Sequence, residues 1–382
     1  MMKKRIGILG GGQLGKMLAT AAANWHLDIW ILDKSADFPA APYCTKFVEG
    51  DFDDYDDVLN FGRQVDVLTV EIEHVNIRAL FELQKEGKII HPAPEKLEII
   101  KDKALQKLFY LKNEIPASDF QLFDDEVAIK DAVQNGELQL PFVQKSRTAG
   151  YDGRGVSVIN TSEDLLKNLL PGASVVEKLV DIEKELAVIV CRNERGKMSF
   201  FPPVEMVFNP VANLVEFLVC PAGIDLKTSE IVNKLALKTA KAFQICGLLA
   251  IEMFLTKSGE VLINEVAPRP HNSGHHTIES CYVSQFEQHL RGILNLPLGE
   301  TDLKLPAVMP NVVGEPGYAG KPVFSGLEDA LKISGLSVHF YGKKETKPFR
   351  KMGHITVVDK HKDEAIKKAK QVQTTLKIIA NG

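Results

Sequence analysis

The sequence predicts an α/β and α+β protein in which a doubly wound parallel domain precedes an antiparallel region and a small mixed C-terminal segment. The chain has 382 residues, which is more than one ordinary hydrophobic core accommodates. Strand-length apolar runs alternate with helical patterns up to about residue 96, as in parallel βαβ units. From about 182 to 270 the pattern changes to alternating runs that indicate antiparallel strands around one helix.

The N-terminal domain begins with a short apolar run, a glycine turn and a helical pattern. Its strands are predicted at 5–9, 28–33, 47–51 and 65–73, with a helix at 53–64. Pro92 and Pro94 interrupt this alternation. We therefore expect a Rossmann-like domain at 1–98.

The rest of the chain divides into a central region and a C-terminal segment. Helices are predicted over 95–114 and 228–247, and another helix lies near the C-terminus. We expect the central region at 99–298, with a small subdomain at about 115–180 and a larger antiparallel-sheet subdomain at 181–298. We expect the C-terminal segment at 299–382.

Composition and charge exclude several classes of protein. The net charge is −4, from 46 basic and 50 acidic residues, so no basic field favours nucleic acid or a membrane surface. The five cysteines form no CxxC pair and fit reduced thiols. Three glycines interrupt the apolar stretch near the N-terminus, which argues against a signal peptide. We expect a cytoplasmic protein that acts on small molecules.

The first glycine-rich loop has the spacing of a dinucleotide fingerprint. Gly10, Gly12 and Gly15 follow a predicted strand and precede a helix, and Asp33 lies 18 residues past Gly15. Such a loop can bind a nicotinamide cofactor, with the acid on its ribose. It can equally form only a tight turn, or hold another phosphorylated ligand.

A second glycine-rich loop follows Lys145, which ends a predicted strand. Residues 147–155 read RTAGYDGRG, which predicts a flexible hairpin with exposed amide groups. Such a hairpin can close over a polyphosphate while Lys145 and Arg154 supply positive charge. The motif is not a Walker A loop, and a simple surface hairpin is the alternative.

The segment 175–185 carries Glu177 and Glu185 around an apolar run. A strand edge there can present backbone groups to an adenine, while a nearby carboxylate accepts bonds from ribose hydroxyls. Solvated surface glutamates are the simpler interpretation of both residues.

A β-hairpin is predicted over 248–266, with Ser258 and Gly259 as its loop. In that register Glu252 and Glu265 oppose each other, with Cβ atoms about 5 Å apart, where like charges destabilise a sheet. A magnesium ion between the carboxylates and nucleotide phosphates would remove the repulsion. Asn264 then points to the other face unless a bulge intervenes. Two glutamates tolerated at a solvent face are the alternative.

The ten residues 267–276, APRPHNSGHH, follow the second strand of this hairpin directly. Basic, amide and hydroxyl groups beside a metal pair indicate a loop that handles an anion. The histidines lack HExxH spacing, so no zinc site is predicted. A plain polar loop is the alternative.

Taken in order, these motifs resemble the ATP-grasp superfamily and, within it, the 5-(carboxyamino)imidazole ribonucleotide synthase family of purine biosynthesis. The resemblance runs from GGGQLGKML at 10–18 to FRKMGH at 349–354. It is carried by GYDGRG, EKLV, INEVAPR, HNSGH and a YGK that precedes RKMGH. It implies an ATP-grasp fold with a pre-ATP-grasp N-terminal domain. It also implies an ATP- and Mg²⁺-dependent ligase that carboxylates 5-aminoimidazole ribonucleotide through carboxyphosphate, and a homodimer.

The resemblance assigns residues by position. The ATP site comprises Lys103, Lys145, Gly150, Tyr151, Asp152, Gly153, Arg154, Gly155, Val156, Glu177, Lys178, Leu179, Val180, Glu185, Asn264 and Glu265. Residues 177–180 would grip adenine through backbone groups, and Glu185 would bind the ribose. Glu252 and Glu265 match the magnesium ligands. The ribonucleotide would contact Gln13, Glu73, Tyr151, Lys343 and Arg350. The catalytic positions are Asp152, Arg154, Arg269, His271 and Asn272.

Three positions depart from the family pattern. Lys103 stands where relatives commonly have arginine, Phe208 stands where many have an ATP-contacting histidine, and KPFRK at 347–351 replaces RPGRK. The rival functions are another ATP-grasp ligase, of the formate-dependent glycinamide ribonucleotide transformylase or biotin carboxylase type, a nicotinamide dehydrogenase, and a non-catalytic ATP-binding regulator. The dehydrogenase interpretation leaves the second glycine loop and the facing glutamates unexplained.

Overall fold

The N-terminal domain contains a five-stranded parallel sheet with the order β3-β2-β1-β4-β5. The computed structural model describes residues 4–148, 155–209 and 214–380 of the chain. The strands of this sheet are β1 (Arg5–Leu9), β2 (Asp28–Asp33), β3 (Lys46–Glu49), β4 (Val67–Val70) and β5 (Ile89–His91). The helices of the domain are α1 (Gln13–Ala23), α2 (Tyr55–Arg63) and α3 (Ile77–Lys85). The central strands are apolar on both faces, because helices cover both sides of a parallel sheet.

Strand β4 ends at Val70, three residues earlier than the predicted range of 65–73. Leu9 pairs with Val70 in parallel register, so the residues that follow β1 and β4 meet at one edge of the sheet. Glu71 therefore lies beside the first glycine loop, and neither Glu71 nor Glu73 belongs to the strand.

Two helices replace the single helix predicted over 95–114: α4 (Pro94–Lys101) and α5 (Lys103–Lys112). Asp102 separates them, and its side chain accepts hydrogen bonds from the backbone N–H groups of Ala104 and Leu105 at 2.9 and 3.2 Å. An aspartate competes well for these groups at an N-cap, which ends one helix and starts the next. Lys103 thereby becomes the first residue of α5.

A four-stranded antiparallel sheet with the order β6-β9-β7-β8 follows. Its elements are β6 (Phe120–Phe123), α6 (Glu126–Gln134), β7 (Phe142–Ser146), β8 (Val156–Ile159), α7 (Ser162–Lys167) and β9 (Ser174–Lys178). Ile129, Phe142, Ile159 and Val176 form its own small core. The strands and helices of this unit lie between Phe120 and Lys178.

The largest sheet has nine strands and crosses the predicted boundary at 298. Its path is β15-β14-β10-β12-β13-β16-β19-β18, with β11 beside β10. The strands are β10 (Ile182–Arg192), β11 (Met198–Phe200), β12 (Val204–Asn209), β13 (Leu214–Cys220), β14 (Gly247–Thr256), β15 (Val261–Ala267), β16 (Ala307–Val313), β18 (Leu336–Phe340) and β19 (Lys351–Val358). The C-terminal segment thus extends the central sheet, since β16 pairs with β13.

The remaining elements cover this sheet. They are α8 (Leu226–Phe243), α9 (Thr277–Ser280), α10 (Gln285–Ile293), β17 (Pro322–Ser325), α11 (Leu327–Ala330), α12 (Lys362–Thr375) and β20 (Lys377–Ala380). Phe286 and Leu290 of α10 share a core with Ile6 and Leu18 of the N-terminal domain. Helix α10 therefore joins the N-terminal domain to the large sheet. Within the described ranges, every helix is too short or too polar to span a bilayer.

Candidate active site

The β14–β15 hairpin differs from its predicted register in two ways that offset each other. Its loop has three residues, since Thr256 N–H donates to the carbonyl of Glu260 at 2.9 Å. A bulge then shifts the pairing between Ile251 and Met253. The predicted two-residue loop was therefore wrong, yet Glu252 still lies opposite the Asn264–Glu265 pair. The bulge is the irregularity that the sequence left open for Asn264.

Three glutamates interact electrostatically at this hairpin. Burial raises the pKa of Glu252, and the neighbouring charges of Glu265 and Glu185 raise it further. Burial likewise raises the pKa of Glu185 to about 7. The pKa of Glu265 is lowered although burial opposes this, because Lys103 and Lys145 lie close. The hairpin is thus a cluster of carboxylates only partly neutralised by the protein.

The residues at this cluster fit a magnesium ion that is shared with a nucleotide. Magnesium prefers oxygen ligands and is commonly held by one or two carboxylates together with substrate phosphates. Glu252 and Glu265 provide such a pair, and their mutual repulsion is what a cation relieves. In the described part of the chain, no three acidic, histidine or cysteine side chains form a metal site by themselves. Phosphate and water would have to supply the other ligands.

Lys103 and Lys145 direct positive charge toward this hairpin. Lys103 Nζ lies 3.0 Å from Glu265 Oε2. Lys145 Nζ donates to Asn264 Oδ1 at 3.0 Å. Burial by itself would lower the pKa of Lys103. The adjacent Glu265 outweighs burial, so the pKa of Lys103 is raised. Both lysines therefore direct their amino groups to the place where a polyphosphate would lie.

Glu177 has a different environment from the one predicted, because its side chain is buried among cations of the protein. It forms ion pairs with Lys107 at 2.9 Å and Lys145 at 3.0 Å, and Ser118 donates a hydrogen bond to it. Burial opposes the charge, but the two lysines lower the pKa of Glu177 to about 2. The Glu177 carboxylate thus holds Lys145 in place and leaves only backbone groups of this stretch for a ligand.

The rest of the predicted adenine segment lies between β9 and β10. Lys178 and Leu179 are exposed, Val180 is partly buried, and Glu185 lies on β10. The backbone N–H of Lys178 donates to the carbonyl of Asp119 at 2.9 Å. Glu185 and Lys145 interact electrostatically. Lys145 is therefore a neighbour of both glutamates that were predicted to bind the nucleotide, Glu177 and Glu185.

The second glycine loop lies mostly outside the described residues. This applies to Gly150, Tyr151, Asp152, Gly153 and Arg154, which were predicted to contact ATP, the ribonucleotide or both. At the end of the loop, the carbonyl of Gly155 accepts a hydrogen bond from Ser146 N–H at 2.9 Å. Val156 pairs with Lys145. The hairpin therefore begins and ends beside Lys145, as predicted.

The 267–276 loop contacts Glu252 of the facing glutamates and Glu73 of the N-terminal domain. Arg269 Nε lies 2.8 Å from Glu73 Oε1, and His271 Nε2 lies 3.4 Å from Glu252 Oε1. Asn272 begins a short 3-10 turn in the same loop. These contacts bring the residues predicted for anion handling to the facing glutamates.

Buried Gln285 of α10 holds this loop. Its Oε1 accepts from His271 N–H at 2.9 Å, and its Nε2 donates to the His271 carbonyl at 2.8 Å. The same Nε2 lies 2.9 Å from Nδ1 of His275. His275 is fully buried, and burial lowers its pKa.

The predicted ribonucleotide residues come from both ends of the chain. Lys343 Nζ donates to Gln13 Oε1 at 3.0 Å and to the carbonyl of Lys351 at 2.7 Å. Arg350 precedes Lys351 and bonds the carbonyl of Glu345 at 2.9 Å. Phe349 has φ +62°, a left-handed conformation that favours glycine. Phe349 thus adopts this conformation at the cost of strain. Phe208 packs against an apolar cluster.

The dinucleotide interpretation of the first glycine loop is wrong, because carboxylates of the protein occupy its amide groups. Asp33 Oδ2 accepts from Gly11 N–H at 2.6 Å instead of pointing to a ribose. Glu71 accepts from Gly12 N–H and Leu14 N–H, both at 3.1 Å. A phosphate would meet negative charge here. Gln13 is the residue of this loop that reaches the candidate site.

The sequence interpretation missed Glu71, Lys107 and Gln285. A signal existed for Glu71, because it is the first polar residue after β4, at the edge where parallel strands of a sheet end. Lys107 and Gln285 carry no such signal. They lie on helices whose buried faces are not distinguishable from their sequences alone.

Comparisons with known proteins agree with this architecture. Residues 2–101 match a family model of the ribonucleotide synthetase preATP-grasp domain. Residues 108–286 match the ATP-grasp domain. Residues 307–368 match the phosphoribosylaminoimidazole carboxylase C-terminal domain. The predicted fold class, an ATP-grasp fold with a pre-ATP-grasp domain and a small C-terminal domain, is confirmed.

Relatives of known name are similar over nearly the whole chain. A chloroplastic phosphoribosylaminoimidazole carboxylase from Vigna aconitifolia is 42% identical over 361 residues, which cover 92% of this chain. The chain spans only 64% of the length of that plant protein. The N5-carboxyaminoimidazole ribonucleotide synthase of Bacillus subtilis is 35% identical over 364 residues, with 94% of this chain and 93% of the relative covered.

Solved structures are similar to the same extent. The crystal structure of N5-carboxyaminoimidazole ribonucleotide synthetase from Thermotoga maritima has a TM-score of 0.91 and 46% identity, covering 99% of this chain and 100% of the other. The Aspergillus clavatus synthase in complex with ADP and 5-aminoimidazole ribonucleotide has a TM-score of 0.89 and 32% identity, with 98% of both chains covered.

Proposed function

This chain belongs to the N5-carboxyaminoimidazole ribonucleotide synthase family, the family that its motifs resemble, and on that premise we propose that it carboxylates 5-aminoimidazole ribonucleotide. The reaction uses ATP and bicarbonate and releases ADP and phosphate. The support from relatives is that the Aspergillus clavatus enzyme binds ADP and this ribonucleotide. The product is the carbamate on the exocyclic amine, as the name of the Bacillus subtilis relative states.

One observation in this chain carries the proposal. The two facing glutamates lie next to Lys103 and Lys145, which could bind a polyphosphate, and next to the 267–276 loop, which could bind an anion. Glu265 contacts Lys103, and Glu252 contacts His271. A reaction that joins bicarbonate to the terminal phosphate of ATP needs these two groups of side chains next to each other. The hairpin brings them together through opposite strands.

ATP would lie between the β7–β8 hairpin and the β14–β15 hairpin. Backbone groups of 178–180 would contact the adenine, and Glu185 would accept from the ribose hydroxyls. Lys103 and Lys145 would contact the phosphates. The second glycine-rich loop would form a flap over the phosphates. The residues of this flap are Gly150, Tyr151, Gly153, Arg154, Gly155 and Val156.

The chemistry needs positioning and charge neutralisation rather than a covalent nucleophile. A bicarbonate oxygen attacks the γ-phosphorus of ATP, ADP leaves, and carboxyphosphate forms. Two routes then lead to the same product: the exocyclic amine attacks the carboxyl carbon of carboxyphosphate and phosphate leaves, or carboxyphosphate first separates into phosphate and carbon dioxide, to which the amine adds. In both routes the amine nitrogen loses a proton. Arg269, His271 and Asn272 would orient the bicarbonate, and Asp152 would take the proton. Exclusion of water by the flap would protect carboxyphosphate from hydrolysis.

Glu252 and Glu265 would hold magnesium, with Asn264 beside them. Magnesium held by these residues would supply positive charge that offsets the negative charge of the nucleotide phosphates. The ribonucleotide would lie near Gln13, Glu73, Tyr151, Lys343 and Arg350. A homodimer in the cytoplasm remains an expectation from the resemblance.

The experiment is ADP release by the full chain with each substrate omitted in turn. We expect ADP release to require bicarbonate and 5-aminoimidazole ribonucleotide, and ¹³C from labelled bicarbonate to appear in the product by NMR. Turnover with formate and glycinamide ribonucleotide, or with biotin, would assign the chain to another ATP-grasp activity instead. Oxidation or reduction of a nicotinamide cofactor would contradict the ligase proposal altogether.

A further inference from the structure

The first glycine loop is shaped around a carboxylate of this chain. Gly10 has φ +108°, a conformation that side chains rarely adopt. A Cβ atom on Gly12 would lie 2.6 Å from Glu71 Oε1, and one on Gly10 would also collide with the Glu71 carboxylate. Both glycines therefore make room for Glu71. The spacing that resembles a dinucleotide fingerprint has a different physical reason here.

Glu71 supplies the N-terminal cap that α1 lacks. No side chain of α1 or its N-cap residue, Gly12, caps the helix, and its first turn contains no acidic residue. Each Glu71 carboxylate oxygen accepts one of the unpaired N–H groups, from Gly12 and from Leu14. The negative charge also faces the positive end of the helix dipole.

The two bonded amides lie on either side of Gln13. The Gln13 side chain accepts a hydrogen bond from Lys343, which is 330 positions away in the sequence. A second tether joins the same helix to the C-terminal segment, from Lys16 Nζ to the carbonyl of Phe340 at 2.7 Å. The position of Gln13 relative to Lys343 thus depends on how the first turn of α1 is held.

Glu71 also faces the anion loop. Burial raises the pKa of Glu71, and the backbone N–H groups of Gly12 and Leu14 and the positive charge of Arg269 oppose that rise. Arg269 is itself paired with Glu73. Glu71 is thus adjacent to Gln13, which is proposed to contact the ribonucleotide, and to Arg269, which is proposed to orient bicarbonate. Its own carboxylate oxygens are bonded to backbone groups.

We propose that Glu71 is a positioning residue for ribonucleotide recognition. Its carboxylate bonds the amide groups that a phosphate would bind in such a glycine loop, and it thereby fixes the position of Gln13. This inference rests on the proposed function, since Gln13 and Lys343 are assigned there to the ribonucleotide. Glu71 acts through the loop and does not touch the reacting atoms. Its loss loosens Gln13 and weakens ribonucleotide binding, while the ATP site on the two hairpins is unaffected.

The test is chemical rescue of Glu71→Ala by acetate, titrated against chloride at matched ionic strength. The variant vacates a carboxylate-sized space at two unpaired amides, which acetate can enter. We expect KM for the ribonucleotide to rise about tenfold, a loss of about 1.4 kcal/mol in binding, with KM for ATP unchanged. Acetate should reverse most of this rise. A variant with unchanged KM, or a rise that acetate does not reverse, would overturn the proposal.

Two further measurements separate this inference from the proposed function. Hydrogen exchange at the amides of Gly12 and Leu14 should quicken in Glu71→Ala and slow again with acetate, whether or not the chain turns over the ribonucleotide. Unchanged exchange overturns the inference, and absence of turnover in the unmodified chain overturns only the function. If Glu71→Ala does not fold, Glu71→Gln provides the same comparison of KM values and exchange rates.

The control is Glu49→Ala. Glu49 is a carboxylate of the same domain that accepts an exposed backbone bond from Ala36 N–H at 2.9 Å. We expect both KM values to stay unchanged in this variant with or without acetate. A comparable effect of acetate there would show that the rescue is not specific to the loop, which would overturn the proposal.

Discussion

The side-chain amide of Gln285 bonds both backbone groups of His271, with an N···O distance of 2.9 Å at the amide nitrogen and 2.8 Å at the carbonyl. A single buried glutamine thus replaces the pairing that a neighbouring strand would provide. His271 contacts Glu252, so this bond sets the position of the anion loop relative to the carboxylate pair.

We expect Gln285→Leu to raise KM for bicarbonate about tenfold and to release ADP without forming product, because His271 loses its position. The unpaired backbone groups should also cost roughly 3 kcal/mol in unfolding free energy. The matched control is Gln288→Leu, on the same helix. Gln288 is equally buried and bonds Ser199 and Gly299, away from the loop. Gln288→Leu should lower the unfolding free energy by a similar amount while product still forms in step with ADP release. If both variants release ADP without forming product, Gln285 has only a packing role.

Glu265→Ala should reduce ADP release by at least about a hundredfold while the thermal unfolding transition remains cooperative, because the change removes a carboxylate proposed to bind magnesium. The magnesium concentration for half-maximal rate should rise as well. Glu260→Ala, at the exposed position that directly follows the loop of the same hairpin, is the comparison and should behave like the unmodified chain. Normal magnesium dependence in Glu265→Ala would reject the metal assignment.

Lys343→Ala should raise KM for the ribonucleotide about tenfold or more, because the substrate phosphate loses a cation and Gln13 loses its partner. KM for ATP should not change. The neighbouring Lys344→Ala removes the same charge from an exposed ion pair with Asp37 at 2.6 Å, and little change is expected there. Equal effects of the two substitutions would point to general electrostatic attraction instead of a defined phosphate contact. Initial rates against ribonucleotide concentration supply the measurement.

Glu177→Gln should destabilise the chain at pH 7 by about 3–5 kcal/mol, because Lys107 and Lys145 remain buried without their partner. The pH dependence should also change. The folded pKa of Glu177 is lowered from 4.5 to about 2, so its stabilisation is complete above pH 4.5 and is lost as the pH falls toward 2. From pH 7 to 3.5 this single group accounts for about 1.4 kcal/mol of lost stability.

Urea unfolding at several pH values measures this contribution. The loss of about 1.4 kcal/mol between pH 7 and 3.5 should be missing from Glu177→Gln. As a control, Glu163→Gln removes a glutamate that pairs with Lys167 on an exposed helix surface, and a change below about 0.5 kcal/mol is expected. A full acid response in Glu177→Gln would show that other carboxylates dominate it.

The sequence predicted the α/β domain, the antiparallel sheets and the order of the motifs, because these depend on local periodicity and on glycine and proline positions. It also placed Glu252 opposite Glu265, because the extra residue in the loop and the bulge between Ile251 and Met253 offset each other. The sequence did not predict the length of the hairpin loop or the position of the bulge. Each of them shifts the pairing of the two strands by one residue, and such a shift is decided by how the sheet packs against its neighbours.

Only the tertiary structure decided which groups the first glycine loop and the lysines contact. A glycine loop before a helix presents the same amides whether a phosphate or Glu71 occupies them, and the difference arises from a carboxylate about 60 positions away that a parallel strand delivers. The same holds for Lys343 with Gln13 and for Lys107 with Glu177. Sequence spacing therefore determined the chemical groups that this protein possesses, whereas long-range packing determined which are bonded to each other and which remain for substrates.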